Sequence, residues 1–99
     1  MKNGDVVTVV AISGEYVGKL TEQDGAVVTL ENPRVVITNP DNGNMGFAKG
    51  IAATGIDSPE SAVFNSVVMV VATNPLVEEA YLKATGEKLI DTPNQKIIT

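Results

Sequence analysis

Fifteen valines stand in short runs parted by Gly, Asn, Asp and Pro, and this grouping constrains the fold more than any other feature of the chain. A side chain branched at Cβ loses rotamer freedom in a helix and packs well on a pleated surface, so valine runs between turn formers predict β-strands. The first strand spans Val6 to Ile12 and ends at Ser13-Gly14. The second, Glu15 to Glu22, sets Tyr16, Gly18 and Leu20 against charged neighbours, as a half-exposed strand does. Gln23-Asp24-Gly25 then supplies a hairpin turn, because Asp-Gly readily takes positive φ.

A third strand begins at Ala26 to Leu30, breaks at Asn32-Pro33 and resumes over Val35 to Thr38. Proline donates nothing to a ladder, so Pro33 predicts a bulge, a bend or an edge. Asn39 to Asn44 is a turn in every residue. Alternation of Met45, Phe47, Lys49, Ile51 and Ala53 with small residues favours a fourth strand. After Asp57-Ser58-Pro59-Glu60, residues Ala62 to Ala72 form the last strand, bent near Asn65-Ser66.

The tail reads differently. Asn74 is a good N-cap and Pro75 suits the first helical position, where its missing N–H costs nothing. Leu76, Val77, Ala80, Tyr81 and Ala84 fall on one stripe, Glu78 and Glu79 lie early, Lys83 lies late, and Gly86 can end the helix in a left-handed turn. A helix over about 75–85 follows. Residues 87–99 carry Pro93 and no clear period, and Ile97-Ile98 could add a strand to an exposed edge. Residues 1–73 read as a β-barrel, with the helix and tail of 74–99 part of the same single domain.

Composition removes whole classes of chemistry. The 99 residues include no histidine and no cysteine, which excludes imidazole acid–base catalysis, thiolate nucleophiles, disulfides and zinc or iron–sulfur ligation by those residues. The serines Ser13, Ser58, Ser61 and Ser66 have no histidine to activate them, so no enzyme, cofactor or metal is expected. Asp41, Asn42 and Asn44 lack the spacing of a calcium loop and read as turn residues. Glu78 and Glu79, adjacent on a helix, diverge and make no catalytic pair. A net charge of −5 and 4% aromatics argue against indiscriminate phosphate binding and against a broad stacking surface. No run approaches the ~20 apolar residues that span a bilayer, and the absence of cysteine fits a cytoplasmic location.

Five short, strongly bent antiparallel strands in some seventy residues predict a mainly β fold, a small barrel of the Sm-like, SH3-like or OB type with a C-terminal α-helix. The segment Gly18-Lys19-Leu20-Thr21-Glu22-Gln23-Asp24 fits the Gly-x-Leu-x-x-x-Asp core of the first Sm motif, preceded by Val10 and Ile12 and followed by Leu30-Glu31-Asn32. On these residues the chain resembles the Sm/LSm family. Leu30 to Arg34, Met45 to Ala48 and Ala80-Tyr81-Leu82 also look like the small Sm-like proteins of marine cyanophages. Three features depart from the family pattern: the helix follows the strands, Val27 or Val28 replaces the base-holding Asn of the first motif, and the Arg-Gly-Asn of the second is missing. Phe64-Asn65-Ser66 could occupy that second place, or the turn could be Asp57-Ser58-Pro59.

The resemblance implies a homo-oligomeric ring, with the fourth strand of one subunit pairing to the fifth of the next, and single-stranded nucleic acid, RNA before DNA, as the partner in a bacterial or phage-infected cytoplasm. Asp24 and Gly25 then face the pore. Phe64 offers a flat ring beside Asn65 and Ser66, which can hydrogen-bond a base edge. Arg34 and Lys49, near strand ends or loops, could meet phosphates. Against this stands a ring that serves only assembly and binds no nucleic acid, a reading the acidic charge favours.

Overall fold

In the computed structural model, which describes residues 1–86, the valine runs form six strands: β1 (Val6–Ala11), β2 (Gly14–Asp24), β3 (Val27–Thr38), β4 (Met45–Ala48), β5 (Ser61–Phe64) and β6 (Met69–Ala72). One helix follows, α1 (Pro75–Ala84). The strands make a single antiparallel sheet in the order β4-β3-β2-β1-β6, with β5 also on β3.

Strand β3 works as two halves. Val28 to Glu31 pairs with β5, and Val35 to Thr38 pairs with β4. Between them the β2–β3 register slips: Val17 opposes Arg34 but Lys19 opposes Glu31, so β3 carries one extra residue at Asn32-Pro33. Asn32 takes φ +52, and its N–H donates out of the β2–β3 ladder to the Glu60 carbonyl at 2.8 Å. The bend expected at Pro33 is therefore a bulge inside a continuous strand.

Two expected outlines change. The last strand is not one bent element but two, because residues 65–68 leave the ladder, Ser66 at φ +56, and carry the chain from β3 to β1. The sheet is consequently six-stranded rather than five-stranded, and it is not closed into a barrel. The fourth strand stops at Ala48 instead of running through Ala53. Beyond it the backbone turns on itself, with Ser58 N–H on the Lys49 carbonyl at 2.8 Å and Gly55 N–H on Ala52 at 3.1 Å.

Alternation sorts the strands onto two faces. On the core side Val7, Val9, Tyr16, Leu20, Val28 and Leu30 cluster out of solvent, with Val35, Phe64, Val67 and Val70 packed against them. Gly18 belongs to this side. A Cβ there would lie 3.0 Å from Leu30 Cβ and 3.2 Å from the Glu31 carbonyl, so glycine suits the close approach of β2 and β3 at this point.

The other side lies under α1. Asn74 caps the helix, its Oδ1 accepting from Leu76 N–H at 2.9 Å, and Pro75 opens it as expected. Tyr81 is fully buried; its ring meets Phe47 edge-on at 6.0 Å and its hydroxyl donates to the Asn32 carbonyl at 2.7 Å and to Glu31 at 3.3 Å. The helix is thus hooked onto the β3 bulge. At its start the buried hydroxyls of Thr8 and Thr73 bond at 2.9 Å. The predicted stripe is rotated by this hook: Val77, Tyr81 and Leu82 face inward, whereas Leu76, Ala80 and Ala84 are exposed. The expectation of a strand at Ile97-Ile98 lies outside the described residues. Among those described, no helix is long and apolar enough to cross a membrane.

Candidate nucleic-acid interface

Two connections meet at one end of the sheet. The β2–β3 hairpin turns through Gly25-Ala26, with Asp24 opposite Val27 and Gly25 at φ +62. The segment that joins β5 to β6 leaves the ladder just after Phe64, itself opposite Val28, and Val67 N–H donates to the Ala26 carbonyl at 3.1 Å. Asn65 and Ser66 thus lie at the same end of the sheet as Asp24 and Gly25, on the opposite side of β3 from Asp24, and all four are exposed.

Their chemistry suits a base edge better than a phosphate. The Asn65 amide offers donors and an acceptor, the Ser66 hydroxyl offers both, and the Asp24 carboxylate accepts from exocyclic amines. Positive φ at Ser66 turns that residue out of the strand path. The cluster brings no cation.

Phe64, expected as a stacking platform, sits elsewhere. Its half-buried ring packs against Tyr16 with centroids 4.7 Å apart and planes at 52°, in the core cluster. Tyr16 in turn bonds through its hydroxyl to Ser13 Oγ at 2.7 Å. Alternation explains the difference: Phe64 is the last ladder residue and follows the inward parity of Val28, whereas Asn65 is the first residue free of the ladder.

The two basic residues are not brought to this end. Arg34 is buried rather than set in a loop, its Nη1 donating to the Pro33 carbonyl at 2.8 Å on the helix side of β3. Lys49 is exposed but follows Ala48, which pairs with Val35. From Val28 to Val35 is about 23 Å of extended chain at ~3.3 Å per residue. Asn39 and Asn42 spend their side chains within their own turn, accepting from Asp41 and Asn44 N–H at 2.9 Å each. Glu79 pairs with Lys83 at 3.8 Å on the exposed side of α1. Among the described residues no three His, Cys, Asp or Glu side chains gather as a metal site would require.

Sequence reasoning passed over a second surface. Met45, Met69 and Val71, all exposed, flank the outer strands of the sheet on the helix side. A half-open groove of about 240 Å³ crosses that side from Met45 to Val71 over Thr8, Val17 and Val36, beside Val77 of α1. The signal was present in the sequence: Met-Gly-Phe-Ala, Ser-Ala-Val-Phe and Met-Val-Val-Ala, the three strands paired on one side only among the described residues, contain no charge.

No protein-family model matches the chain, and no curated protein matches it.

Proposed function

We propose that the chain is an Sm-like module that assembles edge to edge into a homo-oligomeric ring and holds single-stranded nucleic acid, RNA in preference to DNA, at the paired turns. The observation that supports this reading is the Val67-to-Ala26 hydrogen bond, which brings the segment after β5 to the end of the sheet that carries the Asp24-Gly25 turn. Each copy offers a weak, base-directed contact. Repetition around a ring turns weak contacts into useful affinity, because later contacts form at high effective concentration. With a net charge of −5 and no cation at the turns, affinity comes from base edges, and its dependence on salt is shallow. With the Sm resemblance goes the proposal that the ring works in a cytoplasm, that of the host if the chain is phage-borne.

Fluorescence anisotropy of short labelled single-stranded RNA and DNA, titrated across a salt series, tests this. Each base-edge hydrogen bond contributes about 1 kcal/mol, roughly five-fold in affinity. Asn65→Ala combined with Ser66→Gly, which keeps the positive φ, therefore weakens RNA binding more than twenty-fold while the oligomer persists. Unchanged affinity in that variant refutes the site. Phe64→Ala is the wrong probe, since it opens the core.

A second reading is an assembly ring that binds no nucleic acid. It is favoured by the core position of Phe64, the burial of Arg34 and the acidic charge. The same titration decides, since an intact oligomer without saturable binding at low salt establishes it.

A further inference from the structure

Register sets Val71, Thr8, Val17 and Arg34 opposite one another across β6, β1, β2 and β3, on the helix side of the sheet. The half-open groove under Val77 runs over the first three, and Val36, Met45 and Val77 itself add apolar wall. Its floor is not apolar throughout. Thr8 and Thr73 both line it, and each is only 8% exposed.

Donors outnumber acceptors here. The two hydroxyls share one bond at 2.9 Å, which uses one hydrogen. The hydroxyl that accepts keeps its own hydrogen, and no acceptor among the described residues takes it. A second donor comes from the start of α1. Pro75 has no N–H, Asn74 Oδ1 takes the Leu76 N–H at 2.9 Å, and the Asn74 carbonyl takes that of Glu78 at 2.8 Å. The Val77 N–H between them has no acceptor among the described residues, and it stands at the positive end of a ten-residue helix. Arg34 adds a charge one strand beyond Val17. It is buried, its Nη1 donates to the Pro33 carbonyl at 2.8 Å, and no carboxylate among the described residues pairs with it.

We infer that this groove binds a small carboxylic acid with an apolar body. Its carboxylate accepts from the Thr8–Thr73 hydroxyl pair and from the Val77 N–H, and its hydrocarbon chain lies along Val17, Val36 and Met45. A carboxylate has acceptor capacity for both donors at once, and the nearby positive charge favours the ionised form. The apolar walls select against inorganic phosphate, whose remaining oxygens would be stripped of water without partners. A volume of about 240 Å³ admits a short chain and excludes a nucleotide. Glu15 lines the same groove but is exposed, so its charge weakens the anion from the mouth without occupying the floor. The site is separate from the turns proposed to hold nucleic acid and does not depend on them.

Hexanoate titrated into the isotope-labelled full chain, with amide shifts read by heteronuclear NMR, tests this. Hexan-1-ol and inorganic phosphate, at matched ionic strength, are the comparisons. Saturable millimolar binding that moves the Thr8, Thr73 and Val77 amides together is expected, with each comparison ligand weaker by about five-fold or more. Thr8→Val combined with Thr73→Val replaces the hydroxyl pair by an apolar pair of the same shape, a change that folded cores tolerate. It is expected to weaken hexanoate by about five-fold and to spare hexanol. Glu15→Gln, an exposed change that keeps the proposal testable if the double variant fails to fold, tightens hexanoate. Shifts that do not saturate, or that scatter over the surface, overturn the site. Hexanol binding as tightly as hexanoate overturns recognition of the carboxylate, and phosphate binding as tightly overturns the apolar selection. Unchanged hexanoate affinity in the folded double variant, or weaker binding in Glu15→Gln, also refutes the inference.

Discussion

Replacing Gly18 by alanine adds a single methyl group at the tightest point of the sheet. Its carbon would stand 3.0 Å from Leu30 Cβ, 3.1 Å from Leu30 Cδ1 and 3.2 Å from the Glu31 carbonyl oxygen. Such separations are shorter than ordinary contact, so these neighbouring atoms must give by a few tenths of an ångström. None gives cheaply. Leu30 is fully buried, and the Glu31 carbonyl is backbone that also receives the Tyr81 hydroxyl. Overpacking of this kind costs about 1–3 kcal/mol, from which ~0.5–1 is offset because alanine loses less chain entropy than glycine in a strand. The difference, a net loss centred near ~1 kcal/mol and at most ~2.5 kcal/mol, lowers the melting midpoint by roughly 4–8 °C per kcal/mol in a domain of this size. Gly46→Ala is the matched control, since its nearest neighbour is Ile37 Cγ1 at 3.9 Å, an ordinary contact. Urea and thermal unfolding followed by far-ultraviolet circular dichroism, at one protomer concentration because assembly couples to folding, measure both. If Gly18→Ala is as stable as the parent, or Gly46→Ala suffers equally, close approach is not why glycine stands at position 18.

The hook on α1 makes a graded prediction. Tyr81→Phe, which removes the donor to the Asn32 carbonyl, costs about 1–2 kcal/mol, and Tyr81→Ala costs about 3–5 kcal/mol by adding a cavity; equal losses would show that the hydroxyl contributes nothing. Asn74→Ala removes the cap on Leu76 N–H and lowers stability by about 1 kcal/mol, with earlier loss of helical ellipticity. A variant whose helical signal melts with an unchanged midpoint refutes that role.

Local chemistry explains which parts of the fold could be read in advance. The hairpin turn falls at Gly25-Ala26, with Gln23 and Asp24 still in the ladder, whereas the irregularity at Pro33 and the start of α1 at Asn74-Pro75 depend on what a residue's own backbone permits and stand where they were expected. The rotation of α1 does not. Leu76 looks as apolar as Tyr81, but a bulge carbonyl some fifty residues earlier in the chain selects the one with a hydroxyl. The fourth strand was overdrawn because Ile51 and Ala53 keep the alternation after the ladder on β3 has ended. Asn65 and Ser66 lie at the same end of the sheet as Asp24 and Gly25, as the resemblance led one to expect, whereas Phe64 and Arg34 were placed by residue type alone. Burial depends on strand parity and on the helix laid across β3, neither of which a residue type reveals.

The central claim is a ring of identical chains that holds a single strand. Native mass spectrometry of the unsubstituted chain mixed with a short single-stranded RNA of mixed sequence, with the matching DNA as comparison, addresses both halves in one spectrum. One closed oligomer, an additional peak heavier by one RNA strand, and a weaker DNA adduct are expected. A monomer alone contradicts the ring, and an oligomer that carries no RNA at low salt contradicts the nucleic-acid site and leaves an assembly protein.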